Sequence, residues 1–212
     1  MPNKLDEDVI SLLNKRVYDM AGILPKVRVS LNNKEIDIKS FSEYVDMYFE
    51  KEASPVKIFD KEINNERWEV IVSISEGEFR QVSFVNAVCT SKGGTHVNYV
   101  VDQIVDKVQD KIKKKEKDLN IKPFQIKAHI WIFLNCLIEN PTFDTQTKET
   151  MTLKASQFGS KCDLSEKIIK DFLKLGIVDT VIGIAKAKEM GKLAKLTGGQ
   201  KKSKLTGIPK LE

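Results

Sequence analysis

This 212-residue chain has few cysteines and histidines and no long apolar run. Cys89, Cys136 and Cys162 lie far apart and form no CxxC pair, so the spacing reads as a reduced intracellular chain without a disulfide framework. The two histidines, His96 and His129, sit near no cysteine pair, and no metal site is expected. No apolar stretch approaches the roughly 20 residues that a membrane helix needs. The first residues, MPNKLDED, lack an apolar signal core. Arginine is also scarce: Arg16, Arg28, Arg67 and Arg80 stand among many lysines. Lysine suits attraction to a phosphate backbone better than bidentate reading of bases, which argues against sequence-specific DNA recognition. No internal repeat is present.

Hydrophobic residues make up 41% and charged residues 31%, enough apolar material for one well-buried domain or two small ones. The net charge of +5 is unevenly placed. Residues 107–117 carry six lysines against Asp110 and Glu116, and residues 186–212 carry eight against Glu189 and Glu212, which leaves the rest net acidic. Focused positive charge favours local contact with phosphates.

Apolar spacing predicts a helix over 5–21 through Leu5, Val9, Leu12, Leu13, Val17 and Met20, with Gly22 placed to end it. A hairpin turns at Asn32 and Asn33. Ser40 and Glu43 form a capping box that opens a short helix through about Phe49. Strands are expected at 56–59, 68–74 and 81–88, the last two joined tightly at Glu76 and Gly77 and therefore paired antiparallel. The longest helix is expected over 95–118, with Val97, Val101, Ile104, Val105, Val108 and Ile112 on one face and a lysine-rich end projecting into solvent. A short helix near 125–129, strands at 131–138 and 151–153, and helices at 165–175 and 177–194 follow. From Gly191 the text is rich in Gly, Lys and Thr and reads as a linker. The pattern is α+β: a mixed sheet with helices on one side.

Three stretches are candidates for chemistry. After the 131–138 strand, Pro141 stops the ladder, and the loop that follows sets Gln146 and Lys148 at alternating positions. A Gln beside a Lys can orient water and neutralise a phosphoryl group, although the same pattern serves as solvated surface. Lys113, Lys114, Lys115 and Lys117 are either a solvated helix end or a DNA contact. The glycine turn at 91–96 has no Walker spacing and reads as a tight strand-to-helix turn capped by Thr95 or Ser91. The lysines at 201–202 also lack that spacing. His129 and Trp131 read as packing residues.

Residues 139–150 (ENPTFDTQTKET) resemble the switch loop of type II DNA topoisomerases. The likeness extends to 67–70 (RWEV), 83–87 (SFVNA), 90–97 (TSKGGTHV), 158–166 (FGSKCDLSE) and 207–212 (GIPKLE), in order and spacing like the eukaryotic enzymes. It covers essentially the whole chain, which reads as the middle of a longer protein.

The resemblance implies a ribosomal protein S5 domain 2-like transducer with a left-handed βαβ crossover. It implies that 1–24 end a preceding ATPase domain, 25–190 form the transducer and 191–212 lead to a metal-binding toprim domain. Gln146, Thr147 and Lys148 would reach the γ-phosphate of ATP, bound with Mg2+ mainly by the upstream domain, with Lys148 and Gln146 assisting hydrolysis. Lys113, Lys114, Lys115 and Lys117 would face double-stranded DNA. The whole enzyme would be a nuclear homodimer coupling ATP hydrolysis to strand passage, and the fragment alone would be inactive. The nucleotide pocket, the cleaving tyrosine domain and the toprim acids are missing from the text. A module that only binds nucleic-acid backbone is the alternative.

Overall fold

Three largely buried stretches build the centre of the molecule. They are β4 (Trp68–Ile74), β5 (Arg80–Val85) and β8 (Ile130–Cys136). The computed structural model describes residues 5–49, 57–59 and 67–197. With β3 (Ile58–Phe59) and β6 (Val88–Cys89) these strands form a mixed sheet in the order β3-β4-β8-β5-β6. β8 runs antiparallel to β4, from Trp68 opposite Cys136 to Ile74 opposite Ile130, and parallel to β5.

The expected β4–β5 pair is therefore absent: β8 is inserted between the two strands. The turn at Gly77 only reverses direction, and the partner arrives from a distant part of the chain. The expected 81–88 strand is also broken. Asn86 and Ala87 take positive φ (50° and 64°), and the chain folds back as β6. No glycine marks that turn in the sequence, which is why the run reads as continuous.

The parallel β5–β8 pair needs a crossover, supplied chiefly by α3 (Thr95–Lys115). Its apolar stripe, Val97, Val101, Ile104, Val105, Val108 and Ile112, is buried as expected. It packs against Val70, Val72, Ile132 and Leu134 on one sheet face. Helices α4 (Pro123–Lys127), α5 (Glu166–Lys174) and α6 (Ile177–Thr197) join the same core. Gly176, at φ 82°, separates the last two. Helix α6 runs to Thr197, past the boundary read at Gly191. Residues 1–4, 50–56, 60–66 and 198–212, which include the start of the strand expected at 56–59 and the lysines at 201–202, lie outside the described residues.

The other sheet face carries Ile71, Phe84 and Phe133. It is covered by α2 (Phe41–Asp46) and the last turn of α1 (Glu7–Ile23). Helices α3 to α6 thus share one face, and α2 with the end of α1 covers part of the second. Ser40 accepts from the Glu43 N–H at 3.2 Å and so caps α2, but Glu43 accepts from the Lys39 N–H at 2.8 Å rather than from that of Ser40, so the reciprocal half of the capping box is not made, and the helix ends at Asp46 rather than near Phe49. The hairpin of β1 (Ser30–Leu31) and β2 (Lys34–Glu35) turns on Asn32 and Asn33, both at positive φ.

Gly22 does not end α1. It lies inside the helix, where a Cβ would sit 2.3 Å from Cγ of Tyr44. Of the stripe read from spacing, Leu5, Val9, Leu12 and Leu13 are exposed, and only Val17 and Met20 are half-buried. The buried part is the end of the helix, where Asp19 accepts from the Tyr44 hydroxyl at 2.7 Å and pairs with Lys15 at 2.8 Å.

Candidate functional site

The 142–152 segment is a narrow excursion with anchored roots and an exposed tip. Thr152 N–H donates to the Thr142 carbonyl at 2.8 Å, Phe143 bridges Met151, and Asp144 N–H donates to the Thr150 carbonyl at 3.1 Å. Met151 is buried and Phe143 packs on the core. At the tip, Lys148 N–H donates to the Thr145 carbonyl at 3.1 Å, which closes a turn, and Lys148 adopts φ 58°. The extended alternation expected for Gln146 and Lys148 therefore does not occur, because a closed turn replaces the period of two. Gln146, Thr147 and Lys148 are all exposed. The Lys148 ammonium lies 5.7 Å from the centre of the Phe143 ring, a cation–π contact.

The loop is tied to the start of α3. β9 (Thr150–Met151) pairs in parallel with β7 (Gly93–Gly94). Gly94 is the N-cap of α3 at φ 139°, and a Cβ there would lie 2.2 Å from the Met151 carbonyl oxygen. The glycine thus permits backbone contact that no other residue allows. Neither Thr95 nor Ser91 caps the helix: Thr95 donates to the Leu153 carbonyl at 2.5 Å, and Ser91 faces Glu149. The reading of this turn as architecture agrees with that geometry.

Lys113, Lys114 and Lys115 occupy the exposed last turn of α3, where cations complement the helix dipole. Lys117 follows, also exposed. The end of the helix does not stand free in solvent. Lys115 pairs with Asp179, and Glu116 with Lys186 at 2.7 Å, which docks it on α6. The fold also sets Lys170 and Lys174 of α5 across from Lys111 and Lys114 of α3, around Leu173. Lys111 falls inside the lysine-rich text, just before the run 113–117. The α5 lysines escaped because no spacing along one helix reveals its neighbour. His129 and Trp131 are packing residues as read: His129 is buried, with Nδ1 3.3 Å from the Ser75 carbonyl oxygen, and Trp131 stacks near Phe133. Among the described residues no group of three or more His, Cys, Asp and Glu could hold a metal, and no helix is long and apolar enough to cross a membrane.

The model of the DNA gyrase B family matches residues 40–201. The chain belongs to that family. It is 49% identical to DNA topoisomerase 2 of Drosophila melanogaster over 99% of its own length. It spans only 15% of that relative. The ATPase region of Saccharomyces cerevisiae topoisomerase II superposes with a TM-score of 0.78 at 41% identity, covering 85% of this chain and 46% of that one. The ATPase and transducer domains of DNA topoisomerase II from Balamuthia mandrillaris give 0.80 at 36% identity, covering 86% and 46%. The α+β fold with its mixed sheet is thus that of the ATPase and transducer region of these gyrase B relatives.

Proposed function

We propose that this chain is the transducer segment of an ATP-dependent type II DNA topoisomerase, and that Lys148 reports the γ-phosphate of ATP to the rest of the enzyme. The observation that carries the reading is the tip of the 142–152 loop, where an exposed lysine stands on a closed turn whose roots are bonded to the start of α3. A phosphate bound by an upstream domain would take Lys148 and Gln146 as partners, with Thr147 beside them. ATP, held with Mg2+ by that domain, supplies the anionic phosphoryl group. Lys148 offsets its charge in the transition state, and Gln146 helps to hold the same group. A contact made only to the triphosphate favours one position of the loop over another, which is the requirement for a nucleotide switch.

The exposed apolar stripe of α1, Leu5, Val9, Leu12 and Leu13, supports assigning 1–24 to the end of an upstream ATPase domain. Residues 25–190 are then the transducer, and 191–212 lead toward toprim. The lysines at 113–115 and 117 face double-stranded DNA. The whole enzyme is a nuclear homodimer that couples ATP hydrolysis to gate closure and strand passage.

The test is steady-state ATP hydrolysis by a longer chain extended upstream through the ATPase domain, with nucleotide binding measured separately. Lys148→Ala is expected to lower turnover by about 100-fold, the scale of removing one transition-state charge partner, with binding largely kept. Unchanged turnover would remove the γ-phosphate role. Strong salt-dependent DNA binding by the 212-residue chain, together with that null result, would leave the backbone-binding module.

A further inference from the structure

We propose that Thr90, His96 and Gln81 are positioning residues for Lys148. They hold the turn 90–94 in one place, and that turn sets where the 142–152 loop presents its ammonium group. This rests on the reading that Lys148 meets the γ-phosphate.

Thr90 is fully buried, as are Ser83 and His96 beside it. Its hydroxyl uses every bond it can make. The one proton goes to the Ser83 carbonyl at 3.0 Å. The oxygen is then left to accept from His96 Nε2 at 3.1 Å and from the Ser83 hydroxyl at 2.5 Å. The backbone is held as firmly: Thr90 N–H donates to the Ser83 carbonyl at 2.8 Å. Ser83 lies in β5, opposite Leu134 of β8, and His96 lies in the first turn of α3. Thr90 thus ties the turn to the central sheet and to the helix at once. Gln81, also on β5, adds a second tie, its amide donating to the Ser91 carbonyl at 2.8 Å and to that of Thr90 at 3.2 Å.

From this node the bonds lead to the loop. Gly93 N–H donates to the Thr90 carbonyl at 2.9 Å, which closes the turn. Gly93 and Gly94 then pair with Thr150 and Met151, and Lys92 N–H donates to the Glu149 carbonyl at 3.0 Å. Lys148 is the next residue. Buried hydroxyls and an imidazole are a costly way to fill a core, since apolar side chains of the same shape can be as stable. What a satisfied polar network adds is a single geometry. That geometry is built where the root of the loop meets the sheet.

The experiment measures steady-state ATP hydrolysis by the chain extended upstream through the ATPase domain, with binding of a non-hydrolysable ATP analogue and the thermal midpoint read alongside. Thr90→Val keeps the shape and removes the hydroxyl. It should lower kcat by about 10-fold, a part of the about 100-fold lost with the ammonium itself, while KM and analogue binding stay near wild type. Thr90→Ser, which restores the hydroxyl, should restore turnover. Gln81→Leu, at a half-buried site, should lower kcat in the same direction. The double variant T90V/K148A should be no slower than K148A alone, because a misplaced ammonium and a missing one are the same loss. If T90V fails to fold, Q81L and its double with K148A decide by the same comparison. Wild-type kcat in T90V and Q81L, with K148A impaired, overturns the positioning role and leaves the γ-phosphate contact standing. A double variant slowed by the product of the two single effects also overturns it, since Thr90 would then act apart from Lys148. Wild-type turnover in K148A overturns the γ-phosphate reading and the positioning role with it.

Discussion

Lys92 and Glu149 meet twice. The Lys92 N–H donates to the Glu149 carbonyl at 3.0 Å, and the Lys92 ammonium pairs with the Glu149 carboxylate at 2.7 Å. The contact joins the residue after Lys148 to the turn that opens α3. The helix then runs 21 residues to the lysines at its other end, about 31 Å at 1.5 Å per residue. The loop and the lysine-rich turn are therefore attached to opposite ends of one helix, and a displacement at one end has a direct mechanical route to the other.

Replacing Glu149 by Gln keeps the backbone bond and removes the ion pair. Because that pair is exposed, global stability should hardly move. Local order should move instead. Amide exchange at Lys92 and Asp144, whose N–H groups bond across the loop base, is expected to quicken in E149Q while the thermal midpoint stays within error. Unchanged exchange would mean that the backbone bonds alone hold the loop.

Gly94→Ala should be severe. The residue adopts φ 139°, and the new Cβ would press on the backbone of Met151, which is itself buried and cannot step aside cheaply. Positive φ and the clash together should cost at least about 2 kcal/mol in urea denaturation. Gly77 offers the control, since it also has positive φ but nothing within 4 Å. Gly77→Ala should cost less, about 1 kcal/mol.

Gly22→Ala measures how closely α1 packs on α2. A helical glycine with open space beside it would gain up to about 1 kcal/mol of helix propensity on conversion to alanine. Here the Cβ would strike the Tyr44 ring. That ring holds Asp19 and Tyr48 through its hydroxyl, at 2.7 and 2.6 Å. The expected result is a net loss of about 1–3 kcal/mol, typical of overpacking. A stabilised variant would show that Tyr44 rotates away without cost.

What could be read from the sequence follows from what periodicity reports. Short apolar runs marked β4 and most of β8, and spacing of three and four marked the buried face of α3, because both patterns are local. Pairing partners are not local. Nothing in residues 68–85 indicates that Ile130–Cys136 will lie between β4 and β5. The turn at Asn86 and Ala87 was hidden because alanine rarely takes φ 64°. For the candidate site, the motif text singled out Gln146, Thr147 and Lys148. The closed turn, the clasp to Lys92 and the lysines of α5 emerged only from the fold, since each depends on which distant residues are brought together.

His96 should make the fold acid-sensitive. The ring is fully buried in the first turn of α3, with Nε2 3.1 Å from the Thr90 hydroxyl and Nδ1 without a partner. A proton on Nδ1 would have no acceptor. Burial accordingly lowers its pKa from 6.5 to about 3. Between those values the unfolded chain carries a proton that the folded chain refuses. The contribution is therefore complete above about pH 6.5 and falls with pH by about 1.4 kcal/mol per unit until about pH 3. Thermal melts at pH 7.5, 6 and 5 should show this decline before most carboxylates titrate. In His96→Gln, which cannot take up a proton, the midpoint should be lower at pH 7.5 but should fall less steeply toward pH 5. Equal slopes for the two proteins would show that His96 is protonated in the folded state and that the acid sensitivity lies elsewhere.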